Sequence, residues 1–136
     1  MKSTEYRQNW LFYYLLVQGM AGIFWWILLF QMPESRAWFL SEQFPEQVLM
    51  SFWLPDFLIL ILGSFLAAEG YRNHRSWFQP VLYFLTGGIS YISLYLLALS
   101  ISTQAGWLGT GIMLLCTIMM LVVCYVARYD KIRKKY

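Results

Sequence analysis

One carboxylate stands where a charge is hard to place. Asp56 follows Pro55 inside Phe52 to Ala68, a stretch that is otherwise apolar apart from Ser64. An ionisable residue at membrane depth is costly, and by default it marks an ion path, a proton relay or the counter-ion of a ligand. Counted from Val48, Asp56 lies about 12 Å along a helix, short of the bilayer midplane. At helical spacing Leu60, Gly63 and Ala67 share its face. Small residues let backbones approach closely and so face other helices rather than lipid. That predicts an acid pointing into a helix bundle. Ser90 and Thr117 fall at similar depth, and Gln18 falls a little deeper. Asp56, Ser90, Thr117, Gln18 and Tyr91 are therefore the candidate ligand-binding residues. The plainer reading is a neutral, structural Asp56 that hydrogen-bonds a hydroxyl or a carbonyl freed by Pro55.

The other reactive side chains have simpler explanations. Glu69 lies at the end of the same stretch, where Arg72 or Arg75 can pair with it. Its distance from Asp56 along one helix is about 20 Å, and paired-carboxylate catalysis uses roughly 5–9.5 Å. His74, the one imidazole, sits between Asn73 and Arg75 in a polar turn that offers no partner for a general base or a metal. Cys116 and Cys124 are about 12 Å apart on one helix. They cannot bridge each other, because a disulfide needs Cα atoms within about 7 Å. No Cys-x-x-Cys pair is present, which argues against the disulfide-forming membrane enzymes. Gly106-Trp-Leu-Gly-Thr-Gly111 lacks the Lys-Ser/Thr of a phosphate loop and reads as a tight turn opening a helix. The sequence therefore predicts no catalytic residue, no metal site and no cofactor.

These residues are set in apolar elements. The 136 residues are 60% hydrophobic and 12% charged, far from the soluble balance of about 45–50% and about 25%. Four runs are long enough to cross a hydrocarbon core of about 30 Å: 10–30, 48–68, 77–101 and 107–127, together one transmembrane unit. In the first, Tyr14, Gln18, Gly22 and Trp25 share one helical face. Trp10, Tyr13 and Tyr14 at one end, and Trp25 and Trp26 at the other, read as aromatic belts. In the third, Thr86, Ser90, Ser93 and Ser100 make a hydroxyl stripe. In the fourth, Thr110, Thr117 and Cys124 recur every seven residues, with Met113 and Met120 alongside. The long first loop, with Pro33 and Pro45, is expected to hold a short interfacial helix over 35–44 presenting Trp38, Phe39 and Phe44 to lipid.

Charge sets the expected orientation. Of the 10 Lys and Arg, only Arg36 lies in the first loop; the rest lie at the two termini and in the turn with Arg72 and Arg75. By the positive-inside rule both termini face the cytoplasm. The first apolar run is too long for a signal-peptide core and has no cleavage site after it. Such a chain needs no nucleic-acid partner; its expected partners are membrane lipids, a second copy of itself, or the subunits of a membrane complex.

The layout of four spans with an acid, Asp56, in the second resembles that of the EXPERA-type sterol isomerase and lipid-binding proteins. It is also similar to small DoxX-type bacterial membrane proteins. A likeness to the EXPERA enzymes implies a pocket with acidic residues and a tryptophan. The expected fold is an all-α, up-down four-helix membrane bundle. The leading expectation is a binding protein that holds a hydrophobic or cationic small molecule, or a lipid, between its helices with Asp56 as anchor. Two alternatives stand beside it: a structural or assembly subunit of a larger membrane complex, and a lipid-modifying membrane enzyme. A bacterial cytoplasmic membrane is the expected location.

Overall fold

A computed structural model describes residues 2–37, 39 and 46–133, with side chains described from Trp10 to Tyr129 within those ranges. The described residues are helical, and four helices are long and apolar enough to cross a membrane: Trp10–Gln31, Glu46–Arg72, Phe78–Thr103 and Trp107–Tyr129. The chain is read here as an integral membrane protein.

Helix α1 runs Lys2–Gln31, and a single turn, α2, follows at Pro33–Arg36. Pro33 sits at the first helical position, where its missing N–H is no loss. The expected interfacial helix lies largely outside the described residues, Trp38 and Phe44 included. Arg36 closes this region by donating from Nε to the Leu29 carbonyl at 2.7 Å and by pairing with Glu46. The end of α1 is thereby tied to the start of the next span.

Helix α3, Glu46–Arg72, is not uniform. Six residues, Asp56–Ile61, form a π-helical turn directly after Pro55. It closes where Asn73, His74 and Arg75 donate back to the carbonyls of Glu69, Tyr71 and Gly70. His74 has φ 51°, a left-handed conformation in which His is among the enriched residues. Its position is accounted for by the turn. Glu69 accepts a hydrogen bond from Asn73, one helical turn on, instead of pairing with Arg72. Arg72 lies over the Phe12 ring at 5.5 Å. Helix α4 runs Phe78–Thr103 and ends at Gln104, again left-handed. Helix α5 runs Trp107–Arg133.

Helix α1 packs on α3, α3 on α4, and α4 on α5. The short connections after α3 and after α4 make those two pairs antiparallel. The α4–α5 contact shows the register directly. Thr86 meets Cys124 at 3.0 Å, Ser93 meets Thr117 at 2.7 Å and Ser100 meets Thr110 at 2.7 Å. Each step is seven residues forward on α4 and seven back on α5. A seven-residue repeat keeps one seam facing its partner along a left-handed helix pair.

Packing differs between the two ends. At the end carrying Arg72, Arg75 and Arg128, all four spans contribute to a close core, among them Leu11, Leu15, Ala67, Phe78, Leu82, Leu85, Ile89, Met120 and Val123. Towards the other end a smaller cluster of Trp26, Leu29 and Ile61 packs α1 on α3, beside open space.

Candidate functional site

The site begins with a backbone irregularity. Pro55 has no N–H and cannot continue an α-helical ladder. The chain resumes with Asp56 N–H donating to the Phe52 carbonyl at 3.0 Å and then widens into the π turn. A π turn bonds i to i+5, so it holds more residues per turn than the α-helix and pushes side chains outward. Two glycines receive them. A Cβ on Gly88 of α4 would stand 2.6 Å from Cγ2 of Ile59, and one on Gly22 of α1 would stand 2.9 Å from Cγ1 of Ile61. The irregular turn is thus seated between two neighbours that have no side chain there.

Asp56 opens this turn and faces α1. Trp26 Nε1 donates to Asp56 Oδ2 at 3.2 Å. The sequence reading placed Trp26 in an aromatic belt at the lipid boundary. It is instead only 6% exposed, because its indole N–H reaches the acid on α3. Trp25 is likewise turned inward, edge-on to Phe39 with ring centroids 4.4 Å apart. Among the described residues no Lys, Arg or His forms an ion pair with Asp56.

A second polar pair lies deeper. Gln18, 8% exposed, donates from Nε2 to Ser64 Oγ at 3.0 Å. Ser64 in turn donates its proton to the Leu60 carbonyl at 2.5 Å. With its proton so used, the hydroxyl can only accept from Gln18, which fixes which end of the amide faces it. The Gln18 carbonyl oxygen, Oε1, is left buried with no hydrogen-bond partner among the described residues.

Asp56, Trp26 and Gln18 line a cavity of about 360 Å³, inside the roughly 300–1,000 Å³ range of small-molecule sites. Its α1 wall contains Tyr14, Gln18, Gly22 and Trp25, the face that helical spacing picks out. Phe52, Asp56 and Leu60 of α3, Leu96 and Leu99 of α4, and Gly109, Met113 and Cys116 of α5 form other parts of it. Val17 and Ala21 of α1 and Ile112 of α5 line it and are also exposed on the outer surface. The cavity therefore opens sideways between α1 and α5, which among the described residues are not a closely packed pair.

Of the five residues singled out from sequence, Asp56 and Gln18 line this cavity and the other three do not. Ser90 donates back to the Thr86 carbonyl of its own helix at 2.8 Å. Thr117 is held in the α4–α5 ladder by Ser93. Tyr91 is 72% exposed on the outside of α4. Met113 lines the cavity, Met120 lies in the close core, and the Cys124 thiol is taken up by Thr86. Depth along a span was legible from residue counts, and facing was legible for Gln18 on α1 but not for Ser90, Thr117 and Tyr91. Trp26, Ser64 and the π turn were not singled out. The signal for the turn was Pro55 within a span whose α1 and α4 neighbours carry glycines.

Chemically, the site offers one carboxylate, the hydroxyl-bearing side chains of Tyr14, Ser100, Thr103 and Thr110, and a broad apolar wall. Among the described residues no cluster of three His, Cys, Asp or Glu could hold a metal ion. No protein-family model matches the chain, and no curated protein or solved structure matches it.

Proposed function

We propose that the protein binds a hydrophobic or cationic small molecule, or a lipid, in the cavity between its spans, with Asp56 as the polar anchor. The observation that carries this reading is the cavity itself, where Asp56 lines largely apolar space between the spans. The lateral opening supports a ligand that partitions into the bilayer and enters from it. In this reading both termini face the cytoplasm of a bacterial cell, the first loop lies outside, and the cavity is in the outer half of the membrane.

The test uses a long-chain alkylamine as probe and purified protein in lipid nanodiscs. Saturable binding at one site per chain is expected, with Asp56→Asn weakening it at least tenfold while helical content and membrane insertion stay unchanged. Equal binding by the wild type and Asp56→Asn would remove the anchor from the account. If the gently extracted protein instead carries a fixed set of protein subunits and no small molecule, the assembly-subunit reading replaces this one.

A further inference from the structure

Among the described residues Asp56 is the one charged side chain that lines the cavity. Contacts fix its level on the neighbouring helices. Trp26 of α1 touches it. Phe52 lies beside Tyr95 of α4, with ring centroids 5.8 Å apart, and Ile59 is seated on Gly88. Asp56 is therefore level with Tyr91. The hydroxyls of the wall stand elsewhere. Ser100 and Thr103 lie nine and twelve residues further along α4, about 14 and 18 Å at 1.5 Å per residue. Thr110 is paired with Ser100 at 2.7 Å, and Thr103 donates to the Leu99 carbonyl at 2.9 Å. Tyr14 lies twelve residues from Trp26, about 18 Å along α1. Gln18 gives its amide N–H to Ser64, and its carbonyl oxygen is covered. Near the acid the wall is instead aromatic: Trp25, Trp26 and Phe52 line it, with Phe39 edge-on to Trp25. The Trp26 indole N–H, a donor only, is already given to Asp56.

We infer that the site selects a quaternary ammonium head on an apolar body, with no phosphate beside it. This rests on the proposed binding reading and narrows its ligand. A primary ammonium brings three N–H donors, and among the described side chains only the Asp56 carboxylate can accept them at this level of the wall. Donors left facing carbon are unfavourable in a dry site. A quaternary ammonium has no N–H to satisfy. Its charge pairs with the carboxylate, its methyl groups pack on the apolar wall, and aromatic rings attract such cations. A zwitterionic phosphocholine fits less well, because no described Lys, Arg or His lines the cavity to meet its phosphate.

The experiment measures binding of different head groups on one dodecyl chain, in nanodiscs of choline-free lipid. The heads are primary ammonium, dimethylammonium, trimethylammonium, the neutral tert-butyl isostere of the last, and phosphocholine. Empty nanodiscs correct for partition into lipid. Affinity for the wild type is expected to rise as methyl replaces N–H. The trimethylammonium compound should bind roughly tenfold better than the primary amine, the isostere or the phosphocholine, a difference of about 1.4 kcal/mol. In Asp56→Asn its advantage over the neutral isostere should vanish. The wild-type comparison of heads needs no variant to fold. A primary amine or phosphocholine that binds as tightly as the trimethylammonium compound overturns the inference. The Asp56 anchor then stands, provided that the charged heads still bind better than the isostere. Equal binding by the trimethylammonium compound and its isostere, or no saturable binding by any of them, overturns both.

Discussion

Asp56 and Gln18 owe their positions to two different kinds of partner. Asp56 is oriented by a donor from another helix, the Trp26 indole, and Gln18 by a serine whose own proton is already committed. Trp26 is thus a positioning residue for the acid. Trp26→Phe keeps most of the buried aromatic volume and removes the donor. It is expected to destabilise the protein by about 1–3 kcal/mol, read from unfolding in mixed micelles, and to weaken alkylamine binding less than Asp56→Asn does. Binding unaffected by Trp26→Phe would mean that the acid needs no orientation. At this scale the acid and the amide were legible in the sequence, since both are polar residues within apolar runs. It could not disclose Trp26, because a tryptophan near a span's end has a sufficient explanation at the membrane boundary.

Helix contacts in this protein are made in two ways. Between α4 and α5, three evenly spaced pairs of hydroxyl or thiol groups join the helices. Interhelical hydrogen bonds in membranes average only about 0.6 kcal/mol, so the ladder acts more on register than on stability. A double-mutant cycle of Ser93→Ala and Thr117→Ala should give a coupling near that value, and no coupling would deny the contact. Between α3 and α4, contact depends on space. Gly88→Ala would force its Cβ onto Ile59, whereas a Cβ on Gly87, one residue away, meets nothing within 4 Å. Gly88→Ala is expected to lower stability by about 1–3 kcal/mol, as overpacking does, with Gly87→Ala neutral or slightly stabilising through helix propensity. Thermal unfolding of the two variants side by side checks this. The seven-residue spacing of Thr110, Thr117 and Cys124 was visible in the sequence, and so was Pro55 as an interruption. The π turn was not, because a proline in a span is equally compatible with a simple kink.

Taken whole, the bundle has a close core of all four spans at one end and, towards the other, a cavity beside a smaller α1–α3 cluster. The close core lies at the basic end and the cavity towards the α4–α5 turn. Four apolar runs and their lengths were plain from the sequence, because membrane thickness alone dictates them. The cavity was not, because an empty space has no residue of its own; it depends on how far α1 stands from α5. Filling it separates function from stability. Leu96→Phe is expected to leave the unfolding midpoint unchanged or raised while reducing alkylamine binding at least tenfold, the trade expected where a site is open space. If that variant binds as well as the wild type, the ligand sits elsewhere.

Native mass spectrometry of protein released from its own membranes in mild detergent reads the occupancy of the cavity directly. One small apolar or cationic molecule per chain is expected on the wild type and is expected to be absent from both Asp56→Asn and Leu96→Phe. Wild-type protein emerging bare, or all three emerging with the same adduct, would contradict it.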